Sequence, residues 1–117
     1  MQYMLLIYGA ESDWRKLSEA EQGRIFGEYG ALTQDIVKSG HFKAGDPLED
    51  VSTASTVRVR NGKVLTTDGP FAETKEQLGG YYIIEAANLD DALRIAARIP
   101  SARFGSVEVR PIAKVPT

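Results

Sequence analysis

Apolar residues along this chain recur with two periods, and the order in which those periods alternate predicts the fold. Tyr3 to Tyr8 is a short apolar run rich in strand formers and bounded by Gly9. Tyr3, Leu5 and Ile7 fall on one face and Met4, Leu6 and Tyr8 on the other, so the pattern predicts a strand covered on both sides. A polar loop carrying Trp14 follows. Ser18 is placed to cap a helix, with Glu21 three residues on completing a capping box. That helix is predicted to run to about Ser39, with Gly40 just beyond its end. Ile25, Tyr29, Leu32 and Ile36 form its single apolar stripe. Gly23, Gly27 and Gly30 lie inside it, each costing roughly 1 kcal/mol against Ala. They are either tolerated weak points or places of close packing against a neighbour.

The second half has a different rhythm. His41 to Thr53 reads as loop, with Gly45-Asp46-Pro47 a turn. Ser55 to Arg60 alternates, with Val57 and Val59 on one face and Thr56, Arg58 and Arg60 on the other. Asn61-Gly62 is a two-residue hairpin turn, and Lys63 to Thr67 is the return strand. Gly80 to Ala86 is a further strand, Tyr82 and Ile84 opposing Tyr81, Ile83 and Glu85. Asn88 caps a second helix with Asp90 and Asp91 in its first turn, Leu89, Ala92, Leu93 and Ala96 as its buried stripe, and Pro100 as its stop. Ser106 to Ile112 is the last strand, with Val107 and Val109 opposed to Glu108 and Arg110.

The order β-α-β-β-α-β with an extra hairpin strand predicts an α+β, ferredoxin-like fold with an antiparallel sheet. In that topology the first and third main strands are central, and these are the two that are apolar on both faces. Two helices cover only one face of such a sheet. The apolar groups left on the other face mark an interface, and the simplest partner is a second copy related by two-fold symmetry. The expectation is a homodimer.

Composition narrows the function. A chain of 117 residues is one domain, residues 1–117, near the size where a second copy adds useful stability. Fourteen basic residues against 16 acidic ones, with no basic run, give little electrostatic support for nucleic acid or a membrane surface as partner. The lack of cysteine excludes disulfides, thiol nucleophiles and Cys-based metal sites. The single histidine, His41, argues against a His-rich metal site and reads as a solvated loop residue. The first eight residues have no cationic start and too short an apolar run for a signal peptide or a span, so the expected location is the cytoplasm. P-loop, dinucleotide, nucleophile-elbow and zinc spacings are absent from the sequence.

The densest chemistry lies in Asp68-Gly69-Pro70-Phe71, followed by Glu73-Thr74-Lys75-Glu76-Gln77-Leu78-Gly79-Gly80-Tyr81-Tyr82. With Tyr3-Met4-Leu5-Leu6-Ile7-Tyr8, Trp14, Thr56-Val57-Arg58-Val59-Arg60 and Val107-Glu108-Val109-Arg110-Pro111, this stretch closely resembles the DGPF branch of the YCII-related proteins across nearly the whole chain. The resemblance implies a dimeric α+β barrel of two ferredoxin-like protomers, in bacteria often encoded near alternative sigma factors. It implies no settled activity; an enzymatic role is supposed from related barrels that hold sites between helix, sheet and loops. YCII-type relatives often carry a first-helix His proposed to pair with an Asp. The comparable stretch here, Glu28-Tyr29-Gly30, has none, and His41 lies past the helix end.

Each residue of the motif admits two readings. Asp68-Gly69-Pro70-Phe71 is a turn, with Phe71 either anchoring the loop in apolar surroundings or forming a pocket wall. Glu73, Lys75 and Glu76 are a solvated turn, or they fold over the barrel mouth. There a desolvated carboxylate would work as acid or base, and Lys75 would hold an anion or neutralise Glu76. Gly79-Gly80 is a flexible entry to the strand, or a gap that lets a ligand or second chain approach. With Val57, Val59, Val107 and Val109 packed under the helices, Arg58, Glu108 and Arg110 are expected on the opposite face, lining the dimer barrel. There they pair with one another or form an anion site. Tyr29 is core with its hydroxyl at a rim, and Trp14 a lid.

Two functions follow as expectations. The first is a cofactor-free small-molecule enzyme or ligand-binding barrel acting on a polar or anionic compound. Asp68 or Glu73 would be the base, and Tyr29, Arg58, Phe71, Lys75, Glu76 and Arg110 would form the ligand site. The second is a non-catalytic regulatory module whose Asp68 loop contacts a sigma-factor-linked protein. An exposed Phe71 favours a partner; a Phe71 lining a concavity favours a ligand.

Overall fold

In the computed structural model, which describes residues 1–116, the chain runs β1 (Gln2–Gly9), α1 (Glu11–Lys16), α2 (Glu19–Lys38), β2 (Phe42–Pro47), β3 (Ser55–Arg60), β4 (Lys63–Asp68), β5 (Gln77–Glu85), α3 (Leu89–Ala96) and β6 (Ser106–Pro111). Single 3-10 turns lie at Val51–Thr53 and Pro100–Arg103. The four-stranded sheet has the order β2-β5-β1-β6, and every pairing in it is antiparallel. The two strands that are apolar on both faces, β1 and β5, are therefore central, as their pattern predicts.

Register sorts the side chains. Tyr3 lies opposite Ile84, Leu5 opposite Tyr82 and Val109, and Ile7 opposite Val107, so all of these share one face. Leu5 and Ile84 are fully buried there, with Leu32 and Ile36 of α2 and Ala92 and Ile95 of α3 packed over them. Ser18 caps α2 as its sequence requires: its side chain accepts from the Glu21 N–H while the Glu21 carboxylate accepts from the Ser18 N–H. The opposite face carries Met4, Leu6, Tyr81 and Ile83, each partly exposed and, among the described residues, with no helix over it.

Four elements differ from the sequence pattern. The second strand of the sheet is β2, which the pattern assigned to loop. Its Gly, Asp and Pro resemble a turn, yet each suits this edge. Pro47 is its last residue, and Gly45 sits where a Cβ would come within 2.6 Å of the Tyr82 ring. The alternating Ser55–Arg60 segment leaves the sheet and pairs only with β4, through an Asn61-Gly62 turn in which both residues have positive φ. Val57 and Val59 are consequently 61% and 58% exposed rather than packed under helices, and Arg58 does not reach the open sheet face. This ribbon accounts for a radius of gyration of 16.3 Å, against about 13 Å for a compact chain of this length. On α3, Ala92, Ile95 and Ala96 are buried while Leu89 and Leu93 stay half-exposed, because the side of the helix turned to the core is the one that carries the alanines and Ile95. Trp14 lies on the short helix α1 rather than in a loop.

His41 is also not the solvated residue that its position suggests. Its Nδ1 lies 2.7 Å from Ser39 Oγ and its Nε2 3.0 Å from Asp91 Oδ2, joining the end of α2 to the start of α3. Asp91 also accepts from the Ala87 N–H and pairs with Arg94. The Ala87 N–H foremost, then Arg94 and His41, hold its carboxyl at about 2, below its ordinary 3.8. A carboxyl depressed in the folded state stabilises fully above its unfolded value, and that contribution disappears as pH falls through the folded value. Asp91→Asn is therefore expected to lower the melting temperature at neutral pH and to flatten the acid limb between about pH 4 and about pH 2. Thermal melts followed by circular dichroism across that range check both.

Candidate functional site

The apolar stripe of α2 settles its packing on the sheet, and a second row beside it defines a site. Phe26, Tyr29, Gly30 and Thr33 follow one another at helical spacing and face the end of the sheet where β1 runs out at Gly9 and α1 folds back. Between them lies a cleft of about 730 Å³. Trp14 closes one side, meeting Phe26 edge to face at 5.3 Å. Phe42 and Tyr82, also edge to face at 6.2 Å, form the sheet wall, and Phe104 stands at the rim.

Glycines open the sheet side. Gly45 admits the Tyr82 ring, and a Cβ on Gly80 would lie 3.1 Å from the Asp46 carbonyl oxygen, so that glycine lets β2 and β5 close up. The Tyr82 hydroxyl then reaches Thr33 Oγ1 at 2.8 Å. Thr33 donates its own hydrogen to the Tyr29 carbonyl, so Tyr82 must be the donor in the pair. The Tyr29 hydroxyl meets Ser101 Oγ at 2.6 Å, and burial raises its pKa above the ordinary phenol value, leaving it neutral at physiological pH.

A polar frame fixes α1 over the cleft. Gln77 Oε1 accepts from the Glu11 N–H at 2.9 Å, Glu11 Oε2 accepts from the Val51 N–H at 2.9 Å, and Arg15 pairs with Asp50 at 2.8 Å. An isolated helix as short as α1 is marginal in water, so these ties and the Trp14–Phe26 contact hold it. Tyr81 donates to Asp46 at 2.9 Å.

Of the residues assigned from the sequence to a catalytic or ligand site, only Tyr29 lines this cleft. Asp68 ends β4 opposite Ser55, and the turn after it is tied to the ribbon base by Gly69 N–H to the Ala54 carbonyl and Thr56 Oγ1 to the Gly69 carbonyl. Phe71 is 81% exposed rather than anchored in apolar surroundings. Glu73 and Lys75 are exposed, and Glu76 is partly so. Arg58 projects from the ribbon, while Arg110 pairs with Glu108 on its own strand. The motif does reach the cleft, but through Gln77, Gly79 and Gly80. Trp14, Phe26, Thr33, Phe42, Tyr82, Ser101 and Phe104 also line it without having been marked as site residues. The signal was present for α2: Phe26, Tyr29, Gly30 and Thr33 make a mixed aromatic, small and hydroxyl row, unlike the aliphatic stripe next to it.

Two of the cleft glycines separate close packing from open space. Gly45→Ala must displace the Tyr82 ring and is expected to cost about 1–3 kcal/mol. Gly30→Ala meets nothing within 4 Å and is expected to stabilise by about 1 kcal/mol. Urea denaturation of both variants should give opposite signs.

The sequence profile of the YCII-related domain matches residues 1–116. A relative described as an uncharacterized protein of Rhizobium meliloti (strain 1021) is 39% identical over 115 residues, spanning 97% of this chain and 93% of its own length.

Proposed function

The chain belongs to the YCII-related family, and we propose that it is a small-molecule-binding protein whose site is the aromatic cleft between α1, α2 and the sheet. One observation carries this reading: a concavity of about 730 Å³ walled by aromatic rings, on which two hydroxyl pairs converge. Apolar walls with a few fixed polar groups are the common form of a ligand site. Burial keeps the Tyr29 hydroxyl neutral, so it orients a guest by hydrogen bonds rather than abstracting a proton. Asp68 and Glu73 stand outside the cleft, and general-base chemistry by them has no support from its geometry.

Trp14 is the sole tryptophan and lines the cleft, so its fluorescence reports occupancy. The neutral apolar dye Nile red is expected to bind and to change the Trp14 emission. Gly30→Leu fills the cleft without a backbone clash, so it should keep the fold and weaken the dye by about 10-fold or more. Undiminished binding to a folded variant overturns the reading.

A second surface serves association. The Asp68-Gly69-Pro70-Phe71 loop supports placing the chain in the DGPF branch of the family, and the bare sheet face with Met4, Leu6, Tyr81 and Ile83 supports a two-fold homodimer barrel. The exposed Phe71 and the ribbon valines favour a protein contact there. The second copy is the simplest occupant, and a sigma-factor-linked protein the alternative. Sedimentation at micromolar concentration is expected to show a dimer, which a charged residue at Ile83 should dissociate. A monomeric wild type refutes the dimer.

A further inference from the structure

We infer that the cleft selects a protonated amine carried on an aromatic body, and rejects the corresponding carboxylate; this rests on the cleft being the ligand site. Two independent features point to a cation. The first is charge. The ionisable groups around the mouth other than tyrosines are Glu11, Asp13, Asp46 and Asp50; among the described residues, no Lys, Arg or His lines the cleft. Arg15 approaches Asp50 and Glu11 from outside, and Arg103, which acts on the Tyr29 hydroxyl, is itself paired with Glu28; two guanidinium groups against five carboxylates leave the mouth negative. Other bases lie elsewhere: Lys38, Arg94 and Arg98 border the separate groove beside His41. An anion entering the cleft would lose its hydration and meet no countercharge.

The second feature is the direction of the hydrogen bonds. Thr33 gives its hydrogen to the Tyr29 carbonyl and Tyr82 gives its own to Thr33, so the Tyr82 oxygen retains only lone pairs for a guest. The Tyr29–Ser101 pair uses one of its two hydroxyl hydrogens internally and leaves the other to a guest, beside lone pairs on both oxygens. An ammonium supplies three donors and suits such a wall, whereas a carboxylate supplies acceptors alone. The rings of Trp14, Phe26 and Tyr29 add their negative faces, to which a cation within about 6 Å is drawn. Their apolar bulk fits the aromatic body of the same guest.

Three probes sharing a phenylethyl-sized body isolate the charge: 2-phenylethylammonium, 2-phenylethanol and 3-phenylpropionate, titrated at pH 7 and low salt with Trp14 fluorescence and calorimetry. The ammonium is expected to bind about 10-fold or more tightly than the carboxylate, with the alcohol between them. Added salt should narrow the gap. The Asp13 side chain is exposed and only the residue's backbone N–H is bonded, to the Ala10 carbonyl, so Asp13→Asn should keep the fold. Combined with Asp46→Asn, it should bring the ammonium-to-carboxylate ratio towards one, with the alcohol shifting less than either ion. If the alcohol binds but the carboxylate equals or exceeds the ammonium, or if a folded double variant keeps the full ratio, the charge selection is wrong and the cleft stands. If no probe binds and Gly30→Leu leaves Nile red unaffected, the cleft itself is not the site, and both readings fall.

Discussion

The Tyr82 side chain is where the parts of this molecule meet. Its residue pairs with Leu5 across the two central strands, its ring occupies the space left by Gly45, and its edge meets Phe42. Its hydroxyl then closes on Thr33, fixing the depth at which α2 lies on the sheet. The ring is 7% exposed, so the phenol needs that partner, since an unsatisfied buried hydroxyl costs about 1–3 kcal/mol. The cleft opens just beyond this contact. The packing that completes the core thus also sets the width and polarity of the site.

Elements that answer to one physical cause were legible in the sequence. The double-faced apolar runs of β1 and β5 can be buried only at the centre of a sheet, and the capping groups of Ser18 with Glu21, and of Asn88, have no better use than at helix starts. β2 was hidden because its Gly45, Asp46 and Pro47 carry local turn preferences. Those are overridden by a partner strand far along the chain and by the volume of one aromatic ring. The opposite error occurred at β3, where good alternation predicted burial. Alternation specifies two faces but does not say that anything will cover either of them.

The same distinction governs the site. Asp68, Glu73, Lys75 and Glu76 drew attention because reactive side chains are dense there, yet density along a chain says little about convergence in space. The residues that do converge come from α1, α2, β2, β5 and the Pro100–Arg103 turn, separated by many tens of positions. Within the motif, the quiet members matter most to the cleft. Gln77 ties down α1, and Gly80 lets two strands approach.

The β3–β4 ribbon has two unpaired edges, and a free edge is a template on which further strands can add without limit. Arg58, Arg60 and Lys63 cluster towards its tip. Two ribbons approaching edge to edge would bring these like charges together, which opposes runaway fibre-like stacking. A differently charged surface meets no such barrier. The tip therefore works as a gatekeeper, discouraging indiscriminate growth along an exposed apolar arm.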